Sequence, residues 1–130
     1  MEHNIEMIKN IITSSEISST MAIYDKGDKE LFNNGIIVEQ KELDKIRQAY
    51  KKRNKLFING IKINKKKYIL LNTSKITYDI YFVHCKKYNE GYIFIVIENI
   101  IIIVNYYDEY IPYQHDTKIQ QIVKEIEKLF

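Results

Sequence analysis

The chain predicts an α+β fold built on an antiparallel sheet. Three observations carry that prediction: an amphipathic helical pattern at each end of the 130 residues, period-two alternation through the second half, and a nearly all-apolar run from Gly91 to Tyr107. That run, GYIFIVIENIIIIVNYY, breaks at Glu98-Asn99 into Tyr92–Ile97 and Ile100–Val104. A membrane-spanning helix needs about 20 consecutive apolar residues. Pieces this short, rich in Ile, Val, Phe and Tyr, suit a half-buried pleated strand instead. The run reads as a buried hairpin turning at its polar pair, and the chain is not expected to cross a membrane.

The elements follow in order. Asn4–Thr13 carries Ile5, Ile8, Ile11 and Ile12 on one helical face, and the serines at 14–15 and 18–19 end it. Met21–Tyr24 reads as a strand, Asp25-Lys26-Gly27-Asp28 as a turn, and Glu30–Phe32 as the returning strand, closed by Asn33-Asn34-Gly35. Glu39–Lys52 is a second amphipathic helix with Leu43, Ile46 and Tyr50 inward; its acids come early and its lysines late, complementing the helix dipole. From Leu56 the period changes to two. Lys67–Asn72, Thr77–Cys85, Gly91–Ile97 and Ile100–Tyr106 read as strands. In the second of these, Ile76, Tyr78, Ile80, Phe82 and His84 face one way, and Thr77, Asp79, Tyr81, Val83 and Cys85 the other. Asp116–Leu129 is the last helix, capped by Asp116 or Thr117, with Ile119, Ile122, Val123, Ile126 and Phe130 as its apolar stripe. Such a meander must be covered by helices.

Length and composition predict one domain over residues 1–130. A net charge of +3 and a pI near 8.8 fall short of a nucleic-acid-binding footprint, so no nucleic-acid partner is expected. Lysines cluster at Lys51-Lys52-Arg53, Lys65-Lys66-Lys67 and Lys86-Lys87, which are either solvated loops or a face for an acidic partner or anionic lipid. The first residues lack the pattern of a secretory signal, and one cysteine, Cys85, allows no internal disulfide; a cytoplasmic protein is expected.

Catalytic chemistry is not legible. His3, His84 and His115 have no metal-ligand spacing, and no metal or cofactor is expected. His84 and Cys85 are strand neighbours pointing to opposite faces, so they do not share a proton, and His84 reads as an exposed strand residue. Asp108-Glu109 reads as a pair of loop charges. Nucleotide, hydrolase and metalloprotease motifs are missing, and four scattered glycines make no phosphate cradle. The chain does not read as an enzyme.

One stretch is more specific. FINGIKINKKKYILL, Phe57 to Leu71, resembles the profilin pattern of an apolar pair, Asn-Gly, alternating apolar residues, a short turn, then Lys before an apolar strand. HCKKYNEGYIFIVIENIIIIVNYYDE resembles that family's basic strand, Gly turn and final hairpin, and IQQIVKEIEKLF its C-terminal helix. With the N-terminal helix and MAIYDKGD, the likeness spans nearly the whole chain in order. The resemblance implies a central antiparallel sheet with the N- and C-terminal helices packed on one face and a further helix on the other. It also implies a monomeric cytoskeletal protein that binds monomeric actin, limits spontaneous nucleation and delivers subunits to filaments.

Carried over by alignment, the actin-binding residues are Lys67, Asn72, His84, Lys86, Tyr92 and Phe94 on the strands, with Tyr110, Ile111, Tyr113, Thr117 and Gln121 around the start of the last helix. Asn72 and His84 stand where many members have arginine, and Tyr113-Gln114-His115 replaces their Gly-rich loop. Family members grip proline-rich ligands with aromatics on the terminal helices. Here there is no Trp, and His3 and Phe130 are the rings expected on those helices, so polyproline binding is expected to be weak or absent. The departures and composition point to a divergent, archaeal or protist member. The lysine clusters offer a further partner that can coexist with actin, anionic phosphoinositide lipids. The alternative is a roadblock- or longin-like dimeric scaffold for small GTPases.

Overall fold

In the computed structural model the backbone is described for residues 2–14, 20–48, 60–77, 80–87, 90–97, 100–107 and 112–129. Side chains are described for the same residues except 2–3, 70–77, 81–82, 107 and 112–119.

The elements run α1 (Glu2–Ser14), β1 (Met21–Tyr24), β2 (Glu30–Asn33), α2 (Gln40–Gln48), β3 (Ile61–Ile63), β4 (Lys66–Thr77), β5 (Ile80–Lys87), β6 (Glu90–Ile97), β7 (Ile100–Tyr107) and α3 (Pro112–Glu127). The strands form a seven-stranded sheet in the order β2-β1-β7-β6-β5-β4-β3. Every pairing is antiparallel. The apolar run becomes β6 and β7, joined in register from Glu90↔Tyr107 to Ile97↔Ile100. Both strands are buried on both faces, which explains why their sequence is continuously apolar and not alternating.

Two apolar layers lie against the sheet. On one face Ile8 and Ile12 of α1 and Ile122, Val123 and Ile126 of α3 pack over Met21, Ile23, Ile93, Ile95, Ile97, Ile100, Ile102 and Val104. On the other, Leu43 and Ile46 of α2 join Ile61, Ile63, Tyr68, Val83, Cys85, Tyr92, Phe94, Ile101 and Ile103. The terminal helices thus share one face and α2 takes the other, as expected. Burying a side chain such as Ile46 or Ile12 contributes roughly 1.5–3 kcal/mol relative to leaving it in water.

The turns are fixed by particular residues. The β3–β4 connection has positive φ at Asn64 (51°) and Lys65 (66°), the geometry of a tight hairpin turn whose twist matches the strands. Asn64 also ties that turn to the rest of the molecule. Its Oδ1 accepts from the Ile37 amide at 2.6 Å, and its Nδ2 donates to the Tyr92 hydroxyl at 2.9 Å. Gly60, just before β3, is at φ +69°, and a Cβ there would stand 2.5 Å from the Tyr68 carbonyl oxygen. Only glycine fits that approach.

Three expectations need correction. The strand expected to end at Asn72 continues to Thr77, and the next begins at Ile80, so the expected Thr77–Cys85 strand does not exist as one element. The polar Asn72-Thr73-Ser74 reads like a turn, but β4 absorbs it as strand with register shifts between Leu70 and Asn72 and between Lys75 and Thr77. The expected facing holds at Ile80, Val83 and Cys85: Ile80 packs with the terminal-helix layer, Val83 and Cys85 with the α2 layer. The last helix starts at Pro112, not Asp116; Asp116 and Thr117 are inside it and do not cap it, and a proline is well suited to a first helical turn. The second helix begins at Gln40; its expected continuation past 48, with Tyr50, lies outside the described residues, as do Leu56, Asp108 and Glu109.

Candidate functional site

Strands β3, β4 and β5 contain six lysines (Lys62, Lys66, Lys67, Lys75, Lys86 and Lys87) and neither Asp nor Glu. The pleat sorts them. Ile61, Ile63 and Tyr68 point into the α2 layer, so Lys62, Lys67 and Ile69 stand on the opposite face. Lys62 pairs directly with Lys67, and Ile69 with Lys86. Lys86 is half-buried and Lys67 exposed; Ile69 is 61% exposed, one of two large apolar side chains so open among the described residues. No described side chain of β3 or β4 joins the layer under α1 and α3. This end of the sheet is therefore a basic, partly apolar surface beside the terminal helices.

His84 lies next to that surface and not on it. It is 8% exposed, its Cα register is opposite Asn72 on one side and Ile93 on the other, and its Nε2 is paired with the Tyr106 hydroxyl. Tyr106 reaches His84 by laying its ring across Gly91, where a Cβ would collide with the ring. The expected exposed histidine is thus a buried one, because Tyr106 and Gly91 build a slot for it. On the neighbouring end Asn105 Nδ2 donates to Glu90 Oε1 at 3.3 Å and to the Gly91 carbonyl at 3.2 Å, and Lys66 Nζ stands 3.8 Å from Glu90.

Tyr92 and Phe94 correct the expectation most sharply. Both were expected beside Lys86 at the surface; they are 1% and 0% exposed, in the α2 layer. Tyr92 stacks edge-on against Tyr68 at 4.8 Å and lies 6.4 Å from Phe94. The register sets Gly91 opposite Lys86 and Ile93 opposite His84, so the residues of β6 that share their face are one position away from the two aromatics. The period cannot be phased inside a run where every residue is apolar. Ile69 was missed for the same reason, since Tyr68-Ile69-Leu70-Leu71 shows no alternation.

The remaining expected residues are placed more coarsely. Tyr113 and Thr117 belong to the first turns of α3, and Gln121 is exposed farther along it. Tyr110, Ile111 and Phe130 lie outside the described residues. His3 belongs to α1. Since α3 begins at Pro112, Tyr113 and His115 join its first turns, adding rings to the terminal helices that the later expected start had left out. A further ring borders α1: Phe32 of β2 packs against the terminal-helix layer with Lys9 Nζ 4.2 Å from its centroid.

Burial pushes the Cys85 thiol up, so it stays protonated and inert. Among the described residues no group of His, Cys, Asp and Glu is placed to hold a metal, and no helix is long and apolar enough to cross a membrane.

Comparison with known proteins agrees with this architecture. The Profilin family model matches residues 5–129. Among solved structures, a Schizosaccharomyces pombe profilin is similar at 15% identity and TM-score 0.73, over 94% of both chains. Acanthamoeba castellanii profilin IA is similar at 14% identity and TM-score 0.69, again over 94% of both chains. LokiProfilin1, solved in complex with rabbit actin, has 16% identity and TM-score 0.61 over 100% of this chain and 98% of that one. Comparison with curated protein sequences returns no match. The family match decides against the roadblock- or longin-like alternative.

Proposed function

The chain belongs to the profilin family, and from that premise we propose that it is a cytoplasmic, non-enzymatic binder of monomeric actin that suppresses spontaneous nucleation and delivers subunits to growing filaments. The observation that supports the reading is the face of β4 and β5 on which Lys67, Ile69 and Lys86 stand together, with Ile69 61% exposed and no carboxylate on the strands themselves. Exposed apolar area supplies contact, and lysines around it steer an acidic partner. The proposed contact also takes in Asn72, His84, Tyr113, Thr117 and Gln121, and Tyr110 and Ile111 are assigned to it by resemblance alone. The likeness to LokiProfilin1, whose structure was solved with rabbit actin, supports the same partner.

The test is assembly of pyrene-labelled actin with increasing amounts of the protein. Dose-dependent slowing of spontaneous assembly is the expected result; unchanged assembly in the presence of a correctly folded protein rejects the reading.

Polyproline binding is proposed to be weak. Such ligands stack on several adjacent rings; the chain has no Trp, α3 adds only Tyr113 and His115 to the rings expected on the terminal helices, and the ring of Phe32 is covered by Lys9. A fluorescence titration with a proline decamer should show no saturation below the millimolar range; micromolar affinity refutes this. The lysines of β3–β5 also favour a second ligand on the same face, anionic phosphoinositide membranes, with binding to vesicles that falls as salt rises.

A further inference from the structure

The lysine pair at the edge of the sheet extends the interaction face one strand beyond the expected residues. Lys62 of β3 and Lys67 of β4 are both exposed, stand on one face, and are direct cross-strand partners. Directly opposite residues have Cβ atoms about 4.5–5.5 Å apart, and like charges at that spacing destabilise a sheet. Nothing on the three strands offsets them, because β3, β4 and β5 carry no Asp or Glu. Their neighbour on the opposite face is treated differently: Lys66 has Glu90 at 3.8 Å. Next to the pair on the same face is Ile69, 61% exposed, with Lys86 across from it.

We propose that Lys62 and Lys67 form a charge clamp for a carboxylate of the bound partner, with Ile69 entering an apolar socket beside it. The free protein is then held in a mildly repulsive arrangement that the acidic partner relieves, so the pair trades stability for binding. The occupant is monomeric actin, and in that respect the proposal rests on the actin-binding reading. Lys62 was not among the residues carried over by resemblance, and its role follows from the register alone.

The test measures two quantities on the wild type, Lys62→Gln and Lys62→Glu: the thermal midpoint at low salt, and the affinity for monomeric rabbit actin. Lys62→Glu replaces a Lys–Lys pair by Glu–Lys, so its midpoint should rise by roughly 1–4 °C. Its affinity should fall about ten-fold, with Lys62→Gln intermediate in both, and both differences should shrink at high salt. A residue with a purely structural role would not move the two readouts in opposite directions. A raised midpoint with unchanged affinity overturns the clamp while leaving actin binding intact. A lowered midpoint shows that the pair is not repulsive and also overturns it. A wild type that binds no actin overturns both readings together.

Discussion

Two buried tyrosines illustrate how differently one residue type behaves in this fold. The Tyr68 hydroxyl has no hydrogen-bond partner among the described residues, although Tyr92 and Glu90 lie close enough to act on it electrostatically. Burial first, and then those two neighbours, push its phenol above the ordinary value. Tyr68→Phe removes an unsatisfied polar group, so its stability by urea denaturation should lie within about 1 kcal/mol of wild type, or above it. Tyr106→Phe withdraws the hydroxyl paired with His84 and should cost about 1–2 kcal/mol. The pH dependence follows from the same shift. A tyrosine whose folded pKa lies above its unfolded value near 10 stabilises the fold fully below that pH, and the contribution is lost as pH rises above it. Stability should therefore fall from about pH 9, where the buried Cys85 thiol begins to contribute, and further above about pH 10, where the slope is less steep in Tyr68→Phe; Tyr24, raised chiefly by burial and also by Glu30, retains part of it. At this scale the sequence was legible where hydrophobicity alternates and illegible where it does not. Leu43, Ile46, Val83 and Cys85 were oriented correctly, whereas Tyr92 and Phe94 were not and Ile69 was not singled out, since a continuous apolar run carries no phase.

Among the elements, α2 depends on a polar lock as well as on its apolar stripe. Arg47 Nη2 donates to Asp28 Oδ1 at 2.6 Å and to the Asp25 carbonyl at 2.8 Å, and Gln40 also donates to Asp28. The turn between β1 and β2 is thereby fastened to the helix on the same face. Asp28 adopts φ +62°, a conformation that aspartate tolerates better than most residues. Arg47→Ala leaves the Asp28 carboxylate with only the Gln40 amide among the described side chains and takes one donor from the Asp25 carbonyl, and we expect a loss of about 1.5–3 kcal/mol by chemical denaturation. Lys41→Ala, on an exposed part of α2, should be neutral within ~0.5 kcal/mol. Element type was readable from periodicity except at β3, whose three residues are too few to show a period, and β1 and the final hairpin were readable almost to the residue. Boundaries failed at β4 and α3 for a shared reason. Turn-forming and capping residues were taken at face value in Thr73-Ser74 and Asp116-Thr117, whereas bulges and an earlier proline start accommodate them.

For the molecule as a whole, the sheet divides the chain's tasks between its ends. The central strands β7 and β6 are buried on both faces, while β3, β4 and β5 send Ile61, Ile63, Tyr68, Val83 and Cys85 into the α2 layer and set Lys62, Lys67 and Lys86 around Ile69 on the other face. The order of elements along the chain made the fold recognisable at identities as low as 14–16% to solved relatives. The interaction face was only half readable, since it depends on register and not on residue type. The central claim is that this face binds monomeric actin. The direct measurement is a titration of monomeric actin with the wild type, Lys86→Glu and Lys41→Glu at low salt. The two variants have the same net charge, but Lys86 lies on β5 opposite Ile69, and Lys41 lies on α2 across the sheet. The account predicts affinity about ten-fold weaker in Lys86→Glu and unchanged in Lys41→Glu. Equal weakening by both variants, or by neither, would contradict it.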